Sequence, residues 1–195
     1  MQQLSYTCGP QDQPLLAMTI GQAFDDTVAR FAGREALVVR HQQLRYSWSE
    51  LAEQVDRCAR ALLALGVQVG DRVGIWAPNC AEWCITQFAS AKVGAILVTI
   101  NPAYRGSELD YALQQSGCRW LICADAFKTS DYHAMLVQLL PELAASQPGE
   151  LRSARLPQLC GLISLADRAP DGFLCWHELA GLAAGINPAQ LVERQ

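Results

Sequence analysis

From Val73 onward the chain alternates short apolar runs with segments of helical periodicity, and this alternation restricts the possible fold more than any other feature. Residues 73–77, 95–100, 120–124 and 159–165 read as strands with no polar side, while 81–92, 107–116 and 130–143 read as helices, the last interrupted or restarted at Pro141. A strand that is apolar on both sides needs cover on both faces, and helices of about 10–15 residues between such strands imply right-handed crossovers. The pattern therefore predicts a parallel sheet flanked by helices on both faces.

The preceding segment is read differently. Ile20, Phe24, Val28 and Phe31 fall at helical spacing, and Gly33 closes that helix. Residues 36–39 and 44–46 flank a polar turn at 41–43 and predict a short β-hairpin. Ser47-Trp48-Ser49-Glu50 is a capping box, after which Leu51, Val55, Cys58, Ala59 and Leu62 share one helical face as far as the stop at Gly66. At the other end, 144–157 is a polar excursion containing Pro and Gly, 173–176 a short strand and 178–184 weakly helical, and 185–195 shows no closing element. The expected fold class is α/β, with a largely parallel sheet and a short hairpin near the amino terminus, forming a partial domain of a larger enzyme. Its parts are a lead-in at 1–19, the main strand–helix series at 20–143, a surface excursion at 144–158, and the last strand and tail at 159–195.

Composition excludes several function classes. With 51% hydrophobic and 17% charged residues the chain can bury a core, and a net charge of -4 with scattered basic residues gives no footprint for nucleic acid. No apolar stretch reaches the roughly 18–20 residues a transmembrane helix needs. The first basic residue is Arg30, so neither a secretory signal nor a transit peptide is expected, and the expected compartment is the cytoplasm. The eight cysteines contain no C-x-x-C pair and read as reduced thiols, several within apolar segments, with no metal-ligand set.

The motifs of common chemistries are missing. There is no Gly-x-Gly-x-x-Gly, no Gly-x4-Gly-Lys-Ser/Thr, no Gly-x-Ser-x-Gly and no His-Glu-x-x-His, so no catalytic residue is assigned. Asp25-Asp26 and Glu108/Asp110 read as carboxylates in first helical turns, complementing the helix dipole. Ligands of open parallel sheets gather outside the carboxyl ends of the strands, which directs attention to the loops at 77–79 and 101–106. Arg105 brings a guanidinium to the second of these. Lys92, one of two lysines in the chain, ends the preceding helix, where it complements the negative terminus.

Three ordered stretches, Arg45-Tyr46-Ser47-Trp48-Ser49-Glu50-Leu51, Leu65-Gly66-Val67-Gln68-Val69-Gly70-Asp71-Arg72-Val73 and Pro78-Asn79-Cys80-Ala81-Glu82-Trp83, resemble the amino-terminal region of adenylate-forming (AMP-binding) enzymes, and fatty-acyl-CoA synthetases most of all. The likeness continues through Ala91-Lys92-Val93-Gly94-Ala95 and Asn101-Pro102-Ala103-Tyr104-Arg105-Gly106-Ser107-Glu108-Leu109. It implies that 1–195 is the amino-terminal lobe of an enzyme using ATP, CoA and Mg2+ to convert a fatty acid first to an acyl-adenylate and then to an acyl-CoA. It also implies that Lys92 and Arg105 contact CoA phosphates. The family's phosphate loop, adenine and ribose motifs and carboxy-terminal domain with its catalytic lysine are not in this sequence. The chain alone is therefore expected to be inactive and to bind none of these cofactors strongly. The alternatives are a non-catalytic interaction domain and a fragment of an aryl-CoA ligase or another adenylate-forming ligase. A dinucleotide-binding oxidoreductase lacks its glycine fingerprint.

Overall fold

Helix α1 (Ile20–Phe31) begins where Thr19 accepts the Gln22 N–H and the Gln22 side chain reciprocates. The computed structural model describes residues 8–10, 12 and 14–195; of the lead-in, 1–7, 11 and 13 lie outside the described residues. Strands β1 (Glu35–Val39) and β2 (Leu44–Ser47) pair antiparallel around a 3-10 turn, with Gln43 in the left-handed region. Ser47 both ends β2 and caps α2 (Trp48–Ala64), so the predicted hairpin and helix share one residue as their hinge.

The main sheet follows the predicted alternation. Strand β3 (Arg72–Trp76) leads through α3 (Ala81–Lys92) to β4 (Ile96–Thr99), and α4 (Gly106–Ser116) leads to β5 (Trp120–Cys123). Two-residue strands β6 (Ala126–Phe127) and β7 (Ser130–Asp131) form a tight hairpin before α5 (Tyr132–Leu139). Then come β8 (Gly161–Ser164), β9 (Phe173–Cys175), α6 (Leu179–Ala184) and α7 (Pro188–Arg194). The five-stranded sheet has the order β4-β3-β5-β8-β9, and every pairing is parallel. Numbered by first appearance, the order is second, first, third, fourth, fifth. The chain winds one way from β3 to β4 and the other way from β4 to β5, so right-handed crossovers put α3 and α4 on opposite faces.

Burial matches that architecture. Every residue of β5 and β8 is buried, and so is β3 beyond Arg72. Helix α2 packs against α3 and α6, while α4 meets α5 on the other face. Val55, Ala59 and Leu62 of α2 are wholly excluded from water, each large apolar side chain contributing about 1.5–3 kcal/mol. No helix among the described residues is long and apolar enough to cross a membrane.

The interruption expected at Pro141 is present, and one expectation about the tail changes. The helix expected over 130–143 starts at Tyr132 and ends at Leu139, because Pro141 has no N–H to continue it and opens a 3-10 turn instead. The tail does carry an element: Asn187 caps α7, Gln190 reciprocates and Pro188 fills the first helical position, a start signal too short to register as periodicity.

Glycine is required at one sheet position. A Cβ on Gly161 would lie 2.5 Å from the Trp120 ring and 3.0 Å from the Gly149 Cα, in a fully buried layer. Gly161→Ala is expected to lower the unfolding free energy by about 1–3 kcal/mol, as overpacking does. Urea unfolding followed by tryptophan fluorescence checks this, and an unchanged midpoint would show that Trp120 has room to yield.

Candidate functional site

The loops after β3, β4 and β5 meet at the carboxyl edge of the sheet. In a sheet of this winding the generic ligand crevice opens between β3 and β5, where the crossovers diverge. Here Trp76, the last residue of β3, stacks on Tyr132, the first residue of α5, with ring centroids 3.5 Å apart and an interplanar angle of 6°. Both are fully buried. The Trp76 Nε1–H donates to the Asn101 carbonyl at 3.2 Å, and the Tyr132 hydroxyl donates to the Pro102 carbonyl. The expected ligand loop at 101–106 is thus tied to an aromatic floor.

Around that floor, the helix starts are already engaged. The Ala81 N–H of α3 donates to Gln42 Oε1, and Gln42 Nε2 holds the Glu82 carboxylate at 2.8 Å. The Glu108 carboxylate turns back to the Arg105 N–H at the start of α4, and Asp131 accepts the Ala134 N–H of α5 at 2.9 Å. Each carboxylate complements the positive end of a helix dipole, and each would repel a phosphate placed there. Exposed Arg105 and Lys128 supply the cationic side chains on these loops, with Arg105 Nη2 3.5 Å from the Thr129 hydroxyl. Beside them lies a cleft of about 630 Å³, lined in part by Asp125, Lys128, Thr129, Asp131 and His133.

The structure separates the two residues singled out from the sequence. Arg105 stands at the carboxyl edge, whereas Lys92 ends α3 at the opposite, amino edge. The Lys92 side chain is 4% exposed, with Nζ 2.6 Å from both Asp25 and Asp56 and lying over the Phe24 ring. Asp25 also accepts the Gln195 side-chain amide. It lies beyond the first turn of α1, so its partner is this ammonium rather than the helix dipole expected from sequence. Asp110 likewise belongs to a bidentate pair with Arg155, whose guanidinium holds the carboxyl below its ordinary range.

Sequence reasoning passed over His133. Its Nε2 lies 2.9 Å from the hydroxyl of buried Ser164, at the carboxyl end of β8. Ser164 Oγ accepts the Ala166 N–H, leaving its own proton for the imidazole, an arrangement that favours the neutral ring. Burial pulls His133 below the ordinary value of 6.5, against the opposing pull of Asp125 and Asp131. Ser164 has no exposure to water, so the pair is built to hold the strand end rather than to attack a substrate. The cysteines fit the reading as thiols: Cys58 and Cys123 are fully buried and unbridged, and burial pushes Cys58 up to about 12. Among the described residues no three His, Cys, Asp or Glu side chains gather to hold a metal ion.

A wholly parallel sheet of this order, helix-covered on both faces, defines an α/β domain of the doubly wound class. Residues 24–162 match the family model for AMP-binding enzymes, and the chain belongs to that family. It is 43% identical over 188 residues to the rat protein named medium-chain acyl-CoA ligase ACSF2, mitochondrial, covering 96% of this chain and 31% of that one. The human counterpart is 43% identical over 192 residues, with coverage of 98% and 31%. The chain thus spans about a third of the length of the curated relatives it matches. Among solved structures, acetoacetyl-CoA synthetase from Streptomyces lividans superposes with a TM-score of 0.68 at 27% identity, covering 84% of this chain and 25% of that one. The N-terminal domain of FACL13 from Mycobacterium tuberculosis shares the fold, with a TM-score of 0.63 at 22% identity and coverage of 88% and 37%.

Two outcomes follow from the charged groups. Lys92→Met leaves Asp25 and Asp56 facing each other, each a little over 40% exposed. It is expected to cost about 2 kcal/mol, below the range for a fully buried pair because water reaches both carboxylates. Adding Asp25→Asn should recover part of that loss, and strictly additive losses in chemical unfolding would show that the charges do not couple. His133 binds its proton less readily folded than unfolded, so its contribution to stability is complete above pH 6.5 and is lost as pH falls through the lower folded value. The unfolding midpoint should therefore drop below pH 6.5 more steeply in the native chain than in His133→Asn, and equal slopes would remove His133 as the cause.

Proposed function

We propose that this chain is the amino-terminal part of an AMP-forming carboxylate–CoA ligase that activates a fatty acid. The observation that carries the reading is 43% identity to proteins named medium-chain acyl-CoA ligases across nearly all of this chain. In that reaction the fatty-acid carboxylate attacks the α-phosphorus of ATP and expels pyrophosphate. The CoA thiol then attacks the acyl carbon, and AMP leaves with the electron pair of the broken anhydride bond. Mg2+, when bound, would neutralise phosphate charge during the first step.

Within this division of labour the chain supplies scaffold and one rim of the site. Arg105, exposed on the carboxyl-edge loop, is the side chain best suited to meet a CoA phosphate. The two carboxylates on Lys92 favour a structural role for that residue over the CoA contact implied by the family likeness. The carboxylates of Glu82, Glu108 and Asp131 at the helix starts oppose phosphate there, and weak cofactor binding by the chain alone belongs to this proposal. We propose a medium-length acyl chain on the strength of the relatives' names, and cytoplasm as the compartment, although the named relatives are mitochondrial. Fractionation of the source cells decides the second point.

A second reading is that of an interaction lobe, which would draw on exposed apolar side chains such as Leu15, Leu16 and Val192, 95%, 79% and 76% exposed. One experiment separates the readings. The purified chain is expected to give no carboxylate-dependent exchange of pyrophosphate into ATP. Fused to the remaining two-thirds of the human relative, it is expected to exchange with a medium-chain fatty acid and to form acyl-CoA. Exchange by the chain alone would overturn its expected inactivity in isolation, and a folded fusion without activity would overturn the ligase reading.

A further inference from the structure

We infer that Trp76 and Tyr132 are positioning residues for CoA, forming a buried strut that fills the crevice at the winding switch and sets Arg105 against the 125–131 hairpin. The inference rests on the ligase reading above. A doubly wound sheet leaves a gap between the carboxyl ends of its first and third strands because the connecting segments depart in opposite directions. Trp76 is in register with Cys123 across that gap, and the ring of Tyr132 lies flat on it. No ligand can occupy this point while the rings are stacked, so whatever the edge binds must lie on the loops above.

The strut also connects those loops. Buried aromatic side chains with a polar tip need a partner for it, and here the two tips take consecutive carbonyls, Asn101 and Pro102, of a single loop. The Tyr132 backbone N–H meanwhile donates to the Asp125 carbonyl at 2.8 Å, at the base of the hairpin carrying Lys128 and Thr129. Within the first loop the Asn101 side chain accepts the Ala103 N–H, and the Asn101 carbonyl accepts the Tyr104 N–H at 3.0 Å. Asn101 is thus held from three sides, and Arg105 follows four residues later with its guanidinium directed at Thr129. One rigid pair therefore fixes the spacing between the two cationic loops. Pre-set spacing of this kind lowers the ordering cost of binding a flexible, phosphate-bearing ligand.

Tyr132→Phe removes the hydroxyl and keeps the stack; Trp76→Phe removes the indole N–H and keeps an aromatic face. In the 195-residue chain each variant is expected to raise amide exchange at Tyr104 and Tyr132 by about fivefold, the scale of one lost hydrogen bond, while the β5 amides Leu121 and Ile122 keep their protection. Unchanged exchange at Tyr104 and Tyr132, or an equal rise throughout β5, would overturn the strut. In the fusion enzyme, Tyr132→Phe is expected to raise KM for CoA at least threefold and leave pyrophosphate exchange, which needs no CoA, unaltered. A parallel loss in both half-reactions, or no change in either, would overturn the positioning role. If the unmodified fusion is folded but inactive, the ligase reading fails and takes the CoA role with it, while the amide exchange still decides whether the strut holds the loops.

Discussion

Trp76 and Tyr132 lie at the one point of the sheet where the direction of winding reverses, and the carboxyl edge is organised around their contact. Polypeptide geometry alone leaves a gap there, since the chain leaves β3 toward α3 and enters the 125–131 hairpin from β5. Filling the gap with two large rings removes a void from the core. It also commits two polar tips that must be satisfied, and the available acceptors are the carbonyls of the loop after β4. Core packing and loop placement are for this reason one event.

The amino edge is governed by a different constraint. Burying the ammonium of Lys92 would be costly without counter-charges, and both are supplied from outside its own helix: Asp25 from α1 and Asp56 from α2. The pairings gather three helices on one face of the sheet. Gln195, bound to Asp25, brings α7 to the same place. Phosphate binding there would require the ammonium to leave two carboxylates for a third anion.

Much of the fold was legible because its signals are local. The apolar runs of β3, β5 and β8, the Ser47 capping box and the apolar stripe of α2 each specify their element within a few residues, and the structure places them as expected. The ordered motifs from Arg45 to Leu109 carried the family likeness for the same reason. What escaped was short or distant. The β6–β7 hairpin has two residues per strand, and α7 is announced only by Asn187-Pro188. Lys92 reads as a helix-end lysine because Asp56 is 36 residues away, and nothing in the spacing of Trp76 and Tyr132 marks them as stacked. Arg105 kept its expected place on the ligand edge because a loop after a parallel strand cannot be anywhere else.

At the same edge, acidic side chains sit where helix starts would otherwise draw a phosphate. Glu82, Glu108 and Asp131 occupy the starts of α3, α4 and α5, where exposed amides would otherwise attract an anion. Their charges stabilise the helices and oppose phosphate at the same positions. Arg105 and Lys128 offset part of that field on adjacent loops. Under the ligase reading, the cost of neutralising ATP falls on residues outside this segment, and the lobe contributes what a rigid sheet edge provides best: a fixed distance between a guanidinium and the facing hairpin.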